Sequence, residues 1–292
     1  MKKLSTGKSI SLFLGILLAC FFIWIVTGQE DMIFHPTHSE EAYNQLKQHK
    51  DFREIKISQH TSSSFPSYTT DFTLRGWLKY NCYKNKKSPL VIMYGGNAQN
   101  SSSVFANYYN KQVFDYYQGY NVLMVDYPGY GKSDNKIHNQ KDLFEKVLKV
   151  YDYASKQNYV DDKHIVIMGY SIGTGMASYV ASQRDCDGLI LLAPYDSFVN
   201  MYNNTLPLFY GPMKFLVKYN FNSIEYSKVI KTKPLIIASR DDKVIPYEQS
   251  ENLAKSYKSI YKFVSLDSLS HGAILTNTTT LKYIKEYLSS KL

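Results

Sequence analysis

The run Ile165-Val166-Ile167-Met168-Gly169-Tyr170-Ser171-Ile172-Gly173 constrains this chain more than any other. A β-branched apolar segment ends in Gly-x-Ser-x-Gly, and a small-residue helical pattern follows at once. That context predicts a serine on a sharp turn between a buried strand and a helix, a nucleophile elbow. Glycine is needed at 169 and 173 because the turn brings neighbouring backbone too close for a side chain. The turn lifts the Ser171 hydroxyl above the sheet edge, and the helix N-terminus beneath it favours developing negative charge.

The surrounding pattern supplies the rest of an α/β domain. Two extended runs, Arg53 to Gln59 and Ser67 to Leu78, read as antiparallel strands, the second interrupted by Gly76. Further strands are expected at Leu90–Tyr94, Asn121–Asp126, Ile165–Gly169, Gly188–Leu192, Pro234–Ala238 and Tyr261–Leu266. Helical spacing is found over Val104–Tyr117, Asp142–Gln157, Ile172–Ala181, Glu248–Tyr257 and Leu281–Leu292. Alternation of this kind predicts a mostly parallel, eight-stranded sheet with helices on both faces and right-handed crossovers. Between about 195 and 225 the rhythm fails. Tyr195, Phe198, Phe209 and other apolar residues there are broken up by Pro207, Gly211 and Pro212. This insertion, at a strand's C-terminal end, reads as a small helical lid, with Tyr195, Phe198 and Phe209 as candidates to line an acyl pocket.

The N-terminus adds a membrane segment. Lys2, Lys3 and Lys8 precede an uncharged apolar stretch from Ile10 to Val26, and Gln29-Glu30-Asp31 follow. About 17 residues is at the short end for a span, and the leading lysines put the N-terminus in the cytoplasm. Residues 1–28 are therefore expected to be a signal anchor, with residues 29–292 a catalytic domain on the non-cytoplasmic side. Leu17-Leu18-Ala19-Cys20 resembles a lipobox, which offers a lipoprotein modified at Cys20 as the alternative, but the segment stays apolar through Val26. A net charge of +9 comes from scattered lysines without a basic block, which argues against nucleic acid and suits an anionic membrane nearby. Cys82 and Cys186 lie far apart without ligand-spaced neighbours, so they either pair or remain thiols, and no metal or cofactor is expected.

A serine nucleophile needs a base, and the base needs an acid to orient it. Of seven histidines, His271 alone follows the last strand, at the sheet's C-terminal edge. The chain order nucleophile, acid, histidine then points to the loop after Leu235–Ala238. Asp242 there precedes Lys-Val-Ile-Pro, where the chain turns back to the core. Asp241 reads as a solvated or capping residue, and Asp196 is a more distant rival. Donors for an oxyanion are expected from the backbone N–H of Ile172 and from the Gly95-Gly96-Asn97 loop, with the Asn97 amide the candidate. Gly131-Lys132-Ser133 is not a phosphate loop, because Asp126 stands where that motif requires glycine.

Taken together, Tyr94-Gly95-Gly96-Asn97-Ala98-Gln99-Asn100, Asp126-Tyr127-Pro128-Gly129-Tyr130-Gly131-Lys132-Ser133, the elbow, and the Asp242 and His271 segments resemble the α/β-hydrolase superfamily. More narrowly they resemble its Bem46-like, membrane-anchored branch, from about Phe34 onward. Family members usually carry His-Gly-Asn-Ala in the first loop, where this chain has Gly95. The resemblance implies a Ser-His-Asp serine hydrolase acting on esters or thioesters of a small-molecule or lipid-like acyl substrate. A peptidase or amidase, or a non-catalytic binding protein on the same fold, are the alternatives.

Overall fold

The computed structural model of the protein describes residues 6–59, 71–81, 87–205 and 207–292. Lys2, Lys3, His60, the Ser67–Thr70 start of the second expected strand, and Cys82 with its pairing to Cys186 lie outside the described residues.

Eight strands form one sheet: β1 (Phe52–Gln59), β2 (Phe72–Lys79), β3 (Ser88–Tyr94), β4 (Asn121–Val125), β5 (Val160–Tyr170), β6 (Gly188–Leu192), β7 (Leu235–Ser239) and β8 (Lys262–Leu266). Their order is β1-β2-β4-β3-β5-β6-β7-β8. Strand β2 runs antiparallel to β1 and β4, and every later pairing is parallel, as the alternating pattern predicts. Gly76 does not interrupt β2. It lets β2 approach β4 closely, since a Cβ there would lie 2.2 Å from the Met124 carbonyl oxygen.

The helices are α1 (Thr6–Thr27), α2 (Gln29–Ile33), α3 (Glu40–Lys47), α4 (Ser101–Asn110), α5 (Gln140–Ala154), α6 (Gly173–Gln183), α7 (Phe198–Thr205), α8 (Ser223–Ser227), α9 (Tyr247–Ser256) and α10 (Thr278–Ser289). Alternate residues of β3 enter different cores. Leu90, Ile92 and Tyr94 join the side that holds α5 and α6, while Val91 and Met93 join the side of α3, α4 and α10. Each such apolar side chain contributes about 1.5–3 kcal/mol when fully buried, so the central strands need no polar face.

The expected Val104–Tyr117 helix is divided. Helix α4 ends at Asn110, Gln112 adopts a left-handed conformation (φ 55°), and Val113–Tyr117 form a separate 3-10 turn. The break swings Phe114 against Phe105, edge to face with centroids 5.2 Å apart, so a continuous apolar spacing becomes two packed pieces. At the N-terminus, Ile10–Thr27 of α1 is 18 residues of mean hydropathy 2.6 and is long and apolar enough to cross a membrane.

Candidate active site

Strand β5 delivers Ser171 at its C-terminal end, and α6 leaves from Gly173. Ser171 has φ 54°, a region that costs a non-glycine residue about 1–3 kcal/mol and persists only where its surroundings enforce it. The enforcement is visible. The Ser171 N–H donates to the Leu192 carbonyl (3.0 Å), and its own carbonyl accepts from the Thr174 N–H (2.9 Å) and hydroxyl (2.6 Å). A Cβ on Gly173 would sit 2.1 Å from the Tyr94 carbonyl oxygen, and one on Gly169 2.5 Å from the Gly173 oxygen. No side chain fits at either position, so the two glycines of the motif are steric requirements.

Three side chains far apart in sequence meet at this turn. The His271 Nε2 lies 2.9 Å from Ser171 Oγ, and its Nδ1 lies 2.6 Å from Asp242 Oδ2. With Nδ1 protonated and donating to the carboxylate, Nε2 accepts from the serine hydroxyl; this tautomer is assigned from the network. The other carboxylate oxygen of Asp242 accepts the Val244 and Ile245 N–H groups at 2.8 and 3.0 Å. Burial pushes the Asp242 carboxyl up, but the bonds from His271, Ile245 and Val244 outweigh it and hold the group below its usual range. Asp242 is therefore a fixed anion beneath the imidazole. Asp196 does not approach His271; its carboxylate accepts from Asn200 Nδ2 at the start of α7.

The histidine loop is held by residues that sequence reasoning did not assign to the site. Asp241 is not merely solvated, since its carboxylate accepts the Ser268 N–H (2.7 Å). Ser239 Oγ donates to the Leu269 carbonyl (2.7 Å), and the Tyr170 hydroxyl donates to the carbonyl of His271 itself (3.0 Å). The Tyr170 ring also lies 5.1 Å, centroid to centroid, from the imidazole. Burial pushes the Tyr170 phenol well above its ordinary range, so it stays a donor. Its only sequence signal is its place immediately before the nucleophile.

On the opposite wall, the loop after β3 is braced through Asn97. Its Oδ1 accepts from the His35 N–H, the Ala98 N–H and the Tyr130 hydroxyl, each at 2.9 Å. Ala98 follows with φ 53°, and the Gly96 N–H donates to Gln99 Oε1 (2.8 Å). Gly96 must lack a side chain because the Tyr170 ring stands 2.8 Å from where its Cβ would be. Among the described residues, the N–H groups of Asn97 and Ile172 donate to no protein partner. Behind this loop, Asp126 accepts the Ser101 hydroxyl at 2.8 Å, and burial pushes its carboxyl up to about 7.

The three aromatic pocket candidates are packed rather than presented. Tyr195 is fully buried, donates to the Ile172 carbonyl (3.2 Å) and abuts Gly175, so it props the elbow from below. Phe198 is half-buried between Tyr195 and Phe221. Phe209 is buried with Ile25, Val199 and Val217. Aromatic composition alone does not separate a pocket wall from a core. Among the described residues, no group of three or more His, Cys, Asp or Glu side chains gathers to hold a metal.

A family model described as the alpha/beta hydrolase fold matches residues 88–222. An uncharacterized protein of Mycobacterium tuberculosis is 27% identical over 173 residues, covering 59% of this chain and 60% of the relative. Human protein ABHD12B is 23% identical over 227 residues, covering 70% of this chain and 61% of the relative. The chain thus spans about 60% of the length of these curated relatives. Among solved structures, the Pyrococcus furiosus esterase Pf2001 superposes with a TM-score of 0.63 at 18% identity, over 88% of this chain and 98% of the esterase.

Proposed function

Because the chain belongs to the α/β-hydrolase superfamily, we propose that it is a membrane-anchored serine hydrolase of the Bem46-like branch. Its substrate would be a carboxylic ester or thioester with an apolar acyl group. The observation that carries this reading is the unbroken chain from Ser171 Oγ through His271 to Asp242, at 2.9 and 2.6 Å. Distances of that size are what proton transfer to a general base requires. The esterase among the structural relatives supports the same class of chemistry.

In this reading His271 Nε2 takes the Ser171 proton as Oγ attacks the acyl carbonyl, and an Oγ–C bond forms. Asp242, already anionic, stabilises the imidazolium and keeps Nε2 aimed at the serine. The Asn97 and Ile172 amides receive the oxyanion, each such donor being worth about 2.7–4 kcal/mol. The tetrahedral intermediate collapses as His271 returns the proton to the leaving alkoxide or thiolate. Water then attacks the acyl-enzyme, His271 again taking a proton, and the carboxylic acid leaves with Ser171 restored.

Residues 1–28 serve as a signal anchor, supported by the apolar helix Ile10–Thr27, and residues 29–292 form the non-cytoplasmic hydrolase domain. Residues from about 195 to 225 act as its lid. The full chain should hydrolyse p-nitrophenyl acyl esters and lose that turnover in Ser171→Ala. Preferential turnover of acyl p-nitroanilides would redirect the reading to an amidase, and equal turnover by Ser171→Ala would overturn it.

A further inference from the structure

The lid is fastened to the end of the apolar N-terminal helix. Ile25, two residues before the end of α1, is buried in a cluster with Val199, Phe209 and Val217. Gln29, itself only 2% exposed, then clamps the lid with both ends of its amide. Its Nε2 donates to the Leu216 carbonyl (2.7 Å), and its Oε1 accepts the Lys218 N–H (2.8 Å). One residue on, Glu30 accepts the Tyr219 hydroxyl at 3.1 Å. Helix end and lid are therefore joined by apolar packing and three hydrogen bonds.

This fastening fixes the lid's height. The 18 residues Ile10–Thr27 rise about 27 Å, close to the roughly 30 Å of a bilayer's hydrocarbon core. Ile25 falls within about 3 Å of the helix's outer end, at the boundary between acyl chains and headgroups. The lid segments that touch it also carry large apolar side chains that are exposed. Leu208 and Tyr210 flank the buried Phe209 and are exposed, and Phe215, beside the clamped Leu216, is 92% exposed. Lys214, also exposed, stands next to Phe215, where a cation would meet lipid phosphates.

We propose that Leu208, Tyr210 and Phe215 form a second membrane contact, seated in the bilayer interface beside the exit of α1. The lid then rests on lipid while its other side, through Phe198 and Tyr195, backs onto the Ser171 elbow. An acyl substrate dissolved in the same bilayer has the shortest route to the serine along this lid. The proposal rests on the reading of α1 as a membrane span.

Collisional quenching separates the two. The full chain is reconstituted in phosphatidylcholine vesicles brominated near the top of the acyl chains and compared with unbrominated vesicles. Wild-type emission tests the span, because Trp24 is exposed on α1 whereas Trp77 is buried and bonded to Ser102. Phe215→Trp tests the lid. Val229→Trp is the control, since Val229 is exposed beside Ala181–Cys186, at the end of α6 remote from the elbow, the 11-residue helix being about 16 Å long. A side chain seated about 5–10 Å into the interface should lose about half of its added emission to the bromines at position 215, and almost none at 229. Quenching of Trp24 with position 215 no more quenched than 229 would overturn the lid contact, as when water or a second copy of the chain covers the patch. An unquenched Trp24 would overturn the span and the lid contact together.

Discussion

The elbow at Ser171 and the described residues of the segment from about 195 to 225, proposed above as a lid, present opposite surroundings to their side chains. Around the elbow, backbone oxygens stand so close that Gly169 and Gly173 admit no Cβ, and the strained Ser171 backbone is held by three hydrogen bonds. In the lid, Gly211 has no neighbouring heavy atom within 4 Å of where a Cβ would be, and Phe215 is almost fully exposed. One region is specified by contacts within the chain. The other leaves large apolar side chains that the described residues do not cover. A catalytic turn must be rigid before substrate arrives, whereas a lid must meet whatever carries the substrate.

Substitutions should separate these regions by the size of their effects. On the rigid side, Asp242→Asn keeps the volume but removes the anion that fixes the histidine tautomer, and kcat for a p-nitrophenyl ester should fall by about 10⁴-fold. A loss below about tenfold would assign the acid's role elsewhere. Gly173→Ala forces a methyl against the Tyr94 and Gly95 carbonyls, so urea unfolding should report a loss of about 3 kcal/mol. Unchanged stability there would show that the elbow yields, and the contrast would collapse.

Asp126, behind the loop after β3, supplies the pH test. Its folded pKa of about 7 lies above the ordinary 3.8, so the folded state holds this proton more tightly than the unfolded chain. Its contribution is complete below the ordinary value and is lost as pH rises toward 7, at about 1.4 kcal/mol per pH unit. Wild type should therefore lose stability relative to Asp126→Asn across that window, read from paired denaturation midpoints. A difference that stays flat would contradict the buried, protonated carboxyl. The smallest effect is expected in the lid: Phe215→Ser should change stability in detergent by less than about 0.5 kcal/mol and leave short-ester turnover intact.

Which parts of this molecule were legible in the sequence follows from the range of the forces involved. The elbow, the apolar strands and the loop after β3 are governed by local sterics and burial, and these appear as glycine placement and β-branched runs. The sheet follows from their alternation. The Tyr170 bond to the His271 carbonyl and the Asp241 bond to Ser268 are different, because they depend on loops meeting from 101 and 27 residues apart. The break at Gln112 is hidden because Val113, Phe114 and Tyr117, just beyond it, keep helical spacing among themselves. The sequence alone offers Tyr195 as a pocket wall, whereas its burial, its contact with Gly175 and its hydrogen bond to the Ile172 carbonyl put it beneath the elbow. The burial of Ile25 on the lid was equally invisible, since hydropathy reports how apolar a helix is and not what its last turn touches.

If His271 and Asp242 make Ser171 a nucleophile, an electrophile that traps activated serines should find it. Labelling the full chain with a fluorophosphonate and mapping the adduct by peptide mass spectrometry tests this most directly. The account predicts one adduct, on Ser171, that disappears in Ser171→Ala and forms far more slowly in Asp242→Asn. An unlabelled Ser171 in folded wild type, or equal labelling of Ser171→Ala, would contradict it.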